Sequence, residues 1–116
     1  MSERTVRIDA QLREELMQLL QREAADPRIG FATVTRVETS RDLAHARVWV
    51  SVLGSEEERA QTMAALQDAG PWLRRRLSER LKLRRVPALT IRHDDSIAAA
   101  DRVLRIFGEI ERERDR

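Results

Sequence analysis

Seven basic residues between Pro71 and Arg85 have the clearest chemical potential in this 116-residue chain. They stand against one acid, Glu79, so the segment carries +6, and since the whole chain carries +2 the remainder sums to −4 (+2 minus +6). A basic stripe on a slightly acidic body is typical of proteins that bind a polyanion. The alternative is an ordinary solvated helix face whose cations favour the helix C-terminus. We predict RNA contacts from Arg74, Arg75, Arg76, Arg80, Lys82, Arg84 and Arg85.

Three more arginines near the predicted strand ends could widen this surface. Each could equally pair with a nearby acid such as Asp26 or Asp42, which would contribute little to stability. Trp49 could stack on an RNA base, although we favour packing on the sheet as its role. The three arginines are Arg28, Arg36 and Arg41.

The residues that catalysis would need are scattered. The absence of cysteine removes disulfides, thiol catalysis and cysteine metal ligands. His45 and His93 are isolated, and two histidines alone make a poor metal set. Asp94 and Asp95 could be imagined as an acid pair, but adjacent strand residues point to opposite faces, and we expect them to cap the next helix. We therefore expect no enzyme activity, no metal and no cofactor.

Length and composition indicate one small globular domain. The chain is 41% hydrophobic and 36% charged, and it lacks both a membrane-length apolar run and an apolar stretch behind its N-terminal arginines. We expect a cytoplasmic protein that makes no membrane contact. The predicted domain covers residues 1–110, followed by a charged tail over residues 111–116 that should fray.

Hydrophobic periodicity predicts a helix, a hairpin and a later strand. The first helix should end near Asp26-Pro27, because proline disfavours helix in the residue before it. Residues 32–38 and 43–53 read as strands, and their short connection predicts an antiparallel hairpin. The third strand is predicted over Ala88–His93.

A break between two helices is predicted at Ala69, Gly70 and Pro71. Proline lacks the amide hydrogen that helix continuation needs, yet it suits the first turn of a new helix. Leu73, Leu77 and Leu81 should form the buried stripe of that new helix. This stripe would leave Arg75 and Lys82 on the opposite side, flanked by Arg76 and Arg80. The predicted inner face of the last helix is Ile97, Ala100, Leu104, Phe107 and Ile110.

The predicted order is helix, strand, strand, helix, kink, helix, strand, helix. Amphipathic strands and helices with one apolar stripe imply a two-layer α+β domain. We expect a three-stranded sheet with its helices on one face and solvent on the other.

Three ordered stretches carry a resemblance to the ribosome-binding factor A family. They are DPRIG over residues 26–30, VTRVETSRDL over 34–43 running into ARVWVS over 46–51, and LKLRRVPAL over 81–89 followed by DDS over 94–96. With the intervening helices, the resemblance covers roughly residues 4–110, and the element order is similar to a type II KH domain with an extra C-terminal helix. The chain departs from KH domains in having no GxxG loop, and from the family's usual Ala-x-Gly kink in placing Gly70 one position early.

The resemblance implies a factor that binds the 30S subunit and assists late 16S rRNA maturation, notably in cold-shock growth. It implies contact with rRNA near the subunit neck and no small-molecule substrate, and we take a monomer as the default. Three alternatives stay open: a KH-like module for another RNA, a protein-interaction module that uses the open sheet face, and a hydrolase or nuclease using Asp94, Asp95 and a histidine.

Overall fold

The computed structural model describes residues 3–24, 26–29 and 32–114, with the backbone alone for residues 97–103, 107 and 114. It contains the predicted elements in the predicted order. They are α1 (Glu3–Gln18), which continues into a π-helical turn (Leu19–Glu23), β1 (Ala32–Thr39), β2 (His45–Val52), α2 (Glu56–Asp68), α3 (Gly70–Arg80), β3 (Ala88–His93) and α4 (Ile97–Arg114).

The three strands form one mixed sheet in the order β1-β2-β3. β1 and β2 pair antiparallel, which confirms the predicted hairpin. β2 and β3 pair in parallel, from His45 opposite Ala88 to Val50 opposite His93. Because parallel neighbours need a long crossover, α2 and α3 together supply the connection between these two strands.

Thr35 forms a β-bulge that decides which way Arg36 points. Val34 lies opposite Val50, but the next pair is Arg36 opposite Trp49, so Thr35 is the extra residue. A shift of one residue moves every following side chain to the other face of a strand. Without the bulge, Arg36 would share the core face of Val48; with it, Arg36 lies beside Trp49 on the face away from the core.

The core lies between the sheet and the first three helices. Leu73 and Leu77 of α3 are buried as predicted, whereas Leu81 follows the helix in an extended conformation and is only half-buried. The prediction that Lys82 lies on α3 opposite the apolar stripe is therefore wrong, because α3 ends at Arg80. The buried side chains of the core include Ile8, Leu12, Leu16, Leu19, Val34, Val37, Ala46, Val48, Val50, Val52, Leu66, Leu73, Leu77 and Ile91.

The other face of the sheet is open over only part of its length. Thr33 lies opposite Ser51 on this face, and they are only 2% and 9% exposed. Trp49 is half-buried. Arg47 and His45, nearer the start of β2, are exposed, as predicted for this face. Since Thr33 and Ser51 are buried, the prediction of solvent along the whole face holds only toward Arg47 and His45.

The predicted inner face of α4 needs correction. Leu104 is 68% exposed, although its spacing placed it on the apolar stripe. Ile110 is half-buried, and the side chains of Ile97, Ala100 and Phe107 lie outside the described residues. The helix runs to Arg114, and the domain boundary at residue 110 stays a prediction. None of the helices in the described ranges is both long and apolar enough to cross a membrane.

The turn between β1 and β2 is longer than predicted. Leu43 has a φ of 59°, in the left-handed region, so β2 begins at His45 rather than at residue 43. The Asp42 carboxylate accepts hydrogen bonds from the Ser40 hydroxyl at 2.6 Å and the Ala44 N–H at 3.0 Å. These two bonds lower the pKa of Asp42 from its ordinary value and hold the turn closed.

Pro71, rather than Gly70, separates α2 from α3. Ala69 caps both helices, with Pro71 in the first turn of α3. Gly70 has helical backbone, and a Cβ added to it would meet nothing within 4 Å. The break therefore comes from the proline ring and its missing N–H, and the early glycine imposes no special backbone path.

Candidate nucleic-acid interface

The end of α3 divides the predicted basic stripe into two groups. Arg74, Arg75, Arg76 and Arg80 lie on the helix, whereas Lys82, Arg84 and Arg85 lie in the segment of residues 82–85, which we call the basic loop. Val86 and Pro87 connect the loop to β3. The sequence predicts the charge correctly, but the charges do not share one helix face.

Arg76 and Arg80 are ion-paired with acids of α1 and its π-helical turn. Arg76 contacts Glu23 at 2.5 Å and Glu79 at 2.6 Å. Arg80 contacts Glu15 at 3.2 Å and also bonds to Glu23. The hydrogen bond and charge of Glu23 raise the pKa of Arg76. These contacts form an ion-pair network between α1, its π-helical turn and α3. Both guanidinium groups are therefore occupied by contacts that stabilise the packing of these helices.

Glu23 is expected to be the acid on which this network depends. Its side chain is 27% exposed and serves both arginines, so Glu23→Gln should lower the free energy of unfolding by about 1 kcal/mol at low salt. Urea titrations at low and high salt measure the effect, which salt should diminish. Glu79→Gln is the matched control, because Glu79 is 51% exposed and, among the described residues, pairs only with Arg76. Equal losses in the two variants would contradict this role.

Within the described residues, six of the ten predicted RNA-binding residues make no ion pair, and four of these lie on or just after α3 with exposed side chains and no recorded hydrogen bond. Arg74 donates to the Val86 carbonyl at 3.2 Å and so ties α3 to the end of the basic loop. Arg75 and the three basic-loop residues are exposed. Within the part of the chain that the structure describes, none of these four makes an ion pair. We call them the unpaired basic set: Arg75, Lys82, Arg84 and Arg85.

The parallel pairing of β2 and β3 places the basic loop beside the hairpin turn. The Ala88 N–H, three residues after the loop ends, donates to the Ala44 carbonyl at 2.9 Å. Arg41 is exposed in that turn, so it lies at the same end of the sheet as Arg84 and Arg85. Topology thus brings together cations that lie more than forty positions apart in the chain.

Arg28 and Arg36 do not extend this end of the sheet. Arg28 contacts Asp26 at 2.7 Å and Asp68 at 3.1 Å, and its hydrogen bonds lower the pKa of Asp26. Arg28 therefore fastens the segment after α1 to the end of α2. Arg36 lies on the open face of the sheet, 4.0 Å from the centre of the Trp49 ring.

The residues considered for catalysis either make structural hydrogen bonds or lie far apart. Asp94 accepts from the Thr35 hydroxyl at 2.8 Å and the Ser96 N–H at 3.1 Å. Burial works to raise the pKa of Asp94, but these hydrogen bonds outweigh it and the pKa is lowered. His45 and His93 lie at opposite ends of the sheet. Over the described ranges, no three histidine or acidic side chains lie close enough to hold a metal ion.

The domain packs a helix, a kink and a second helix on a three-stranded mixed sheet, and the basic loop lies at one end of that sheet. This arrangement defines an α+β domain of KH-like order. The ribosome-binding factor A family model matches residues 4–107. The chain therefore belongs to the ribosome-binding factor A family.

Curated relatives and solved structures agree with this assignment. A ribosome-binding factor A from Thermomicrobium roseum is 44% identical over 99% of this chain and 89% of its own length. One from Thioalkalivibrio sulfidiphilus is 50% identical over 80% of this chain and 72% of its own. The crystal structure of ribosome-binding factor A from Thermus thermophilus is 30% identical, with a TM-score of 0.69 over 77% of this chain and 93% of that one.

One similar set of coordinates comes from a complex. It is a homology model of Thermus thermophilus ribosome-binding factor A fitted into a cryo-electron microscopy map with the 30S subunit. It is 32% identical to this chain and has a TM-score of 0.61, covering 72% of this chain and 88% of that one.

Proposed function

We propose that this chain binds the free 30S subunit through 16S rRNA and assists late rRNA processing and subunit maturation without catalysis. The observation that carries the proposal is the likeness to the relative fitted into a 30S complex. The unpaired basic set supports it, because exposed cations with no acid partner are free to neutralise phosphates.

The proposed contact surface is the end of the sheet where the basic loop meets the hairpin turn. Arg75, Lys82, Arg84 and Arg85 contact rRNA phosphates there, and Arg41 widens the surface. Phosphate contacts set affinity and orientation and carry little sequence information. Binding one arrangement of an rRNA segment more tightly than another shifts the equilibrium toward it, which is how a factor without catalytic groups promotes maturation.

Further parts of this proposal follow from the family. The chain acts in the cytoplasm as a monomer, as a single type II KH domain over residues 1–110, and serves growth under cold shock. It needs no cofactor and no small-molecule substrate. Arg76, Arg80, Arg74 and Arg28 support the surface through their ion pairs and hydrogen bonds instead of contacting RNA themselves.

Co-sedimentation of the purified chain with 30S, 50S and 70S particles, at low and high salt, tests the proposal. We expect selective pelleting with 30S that weakens as salt rises, since phosphate contacts release counterions. Pelleting with all three particles would point to unselective RNA binding. No association with any particle would overturn the proposal and favour a protein-interaction role.

A further inference from the structure

A shallow depression lies on the open half of the sheet. Its volume is about 440 Å³, within the range of small-ligand sites. Glu38, His45, Arg47, Thr90 and Arg92 contribute to its lining, so all three strands take part. Ser40 and His45 at the hairpin turn also line the depression, so it borders the surface proposed above for 30S binding.

The register aligns an aromatic ring with two guanidinium groups across the sheet. Arg36 of β1 lies opposite Trp49 of β2, which in turn lies opposite Arg92 of β3. The Arg36 guanidinium is 4.0 Å from the centre of the Trp49 ring, close enough for a cation–π interaction. The β-bulge at Thr35 is what brings Arg36 to this face.

Some arginines on this face of the sheet have an acidic partner among the described residues and others have none. Arg36 contacts Glu38 at 3.6 Å, and Asp94 at the end of β3 accepts from Thr35 and Ser96. Among the described residues, Arg47 and Arg92 make no ion pair, and both are exposed. Two free guanidinium groups beside an aromatic stack complement the phosphates and bases of a nucleic acid.

We propose that the open half of the sheet binds an unpaired RNA segment, with a base stacked on the Trp49–Arg36 pair and phosphates against Arg47 and Arg92. This inference rests on the proposed function, because it adds a second contact to an RNA-binding protein. We call the Trp49–Arg36 pair the sheet platform. The RNA must be unpaired, because stacking on the platform requires an exposed base face, and bases inside a duplex expose only their edges. The two surfaces would let the chain hold duplex backbone at its basic loop and a loose strand on its sheet.

Tryptophan fluorescence reports directly on this platform. The chain has two tryptophans, so Trp72→Phe leaves Trp49 as the sole emitter. We expect saturable quenching on titration with an unstructured oligouridylate, and much weaker quenching with an RNA duplex of the same length. Absence of quenching by the oligouridylate, or equal quenching by the duplex, overturns the proposal.

Matched variants separate stacking from charge. Trp49→Leu should weaken oligouridylate binding about tenfold, whereas Trp49→Phe should retain most of it because any aromatic ring can stack. Arg47→Gln with Arg92→Gln should lower the slope of log affinity against log salt by about 1.4, from about 0.7 for each single-strand phosphate contact. The same pair of changes at Arg7 and Arg13, exposed on α1, is the control and should leave the slope nearly unchanged. Thermal melts monitored by circular dichroism confirm that each variant is folded.

The same variants in 30S co-sedimentation distinguish the two proposals. If the unmodified chain fails to pellet with 30S, the proposed function fails, while the oligouridylate titration still decides the sheet platform. If the chain pellets with 30S but Trp49→Leu binds oligouridylate as well as the unmodified chain does, the platform proposal alone fails. If Trp49→Leu loses 30S binding although no variant binds oligouridylate, this face contacts a ribosomal protein and the RNA assignment is wrong.

Discussion

Changing Arg75, Lys82, Arg84 and Arg85 to Gln should weaken 30S binding on the order of a hundredfold at moderate salt. These four are exposed and have no acid partner within the described residues, so their charge is available to phosphates. The slope of log affinity against log salt should fall by about 3 to 4, near 0.9 for each lost contact to duplex backbone. Filter binding or co-sedimentation over a salt series measures both quantities.

A second quadruple variant controls for net charge. Changing four exposed arginines of α1 and its π-helical turn to Gln removes the same four positive charges elsewhere, and we expect little loss of 30S binding. If both variants lose affinity equally, overall charge rather than the basic loop governs binding. Arg76 and Arg80 stay intact in both, because their loss would weaken the α1–α3 contact as well. The control residues are Arg4, Arg7, Arg13 and Arg22.

Leu77→Ala should cost about 2–5 kcal/mol of unfolding free energy, from lost apolar burial and the cavity left behind. Leu77 is completely buried where α3 meets the core. Since a domain of this size has only about 5–15 kcal/mol in total, this one change should be among the most damaging available. Urea denaturation followed by circular dichroism gives the value.

Leu104→Ala is the matched control for Leu77→Ala. The same side chain is removed, but Leu104 is 68% exposed, so the expected change lies within about 0.5 kcal/mol. A comparable loss at both positions would mean that α4 packs differently from the structure described above. At temperatures where Leu77→Ala stays folded, its 30S affinity should match that of the unmodified chain, because Leu77 contributes stability and no contact to RNA.

The elements with a strong local signal were predictable. Strict alternation along β2 indicates one packed face, and the structure confirms it from Ala46 to Val52. Gly70-Pro71 marks the helix break by chemistry that acts within one turn. Serine before a run of glutamates is typical of a helix N-cap, and Ser55 does form a capping box with Glu58.

Features that depend on irregular backbone were missed. The buried Val34 and Val37 are three residues apart, an odd spacing that breaks strand alternation and could have indicated the bulge. Leucine rarely adopts positive φ, so nothing at Leu43 indicated a left-handed residue there. The π-helical turn after Gln18 has no sequence signature either; the Ala24 N–H simply reaches the Leu19 carbonyl at 2.9 Å.

The division of the basic stripe could not be read from the sequence. Glu15 and Glu23 neutralise Arg76 and Arg80 from more than fifty positions away, and such pairing depends on how α1 and α3 pack. Counting charges along the chain therefore overstates the number of cations available to RNA. The exposed Leu104 is a related case, because an apolar spacing in α4 does not establish which side of the helix meets the rest of the domain.

The parallel pairing of β2 with β3 also affects when the chain becomes competent to bind. The β1–β2 hairpin pairs residues close in the chain, but His45 pairs with Ala88 across two intervening helices. Non-local contacts of this kind form late, since loop closure must come before they stabilise anything. During synthesis the arginines of α3 leave the ribosome before β3 does. A nascent chain therefore carries these positive charges before β3 can pair with β2. The basic loop and the hairpin turn therefore come together only when β3 is paired with β2, since that pairing is what places them side by side.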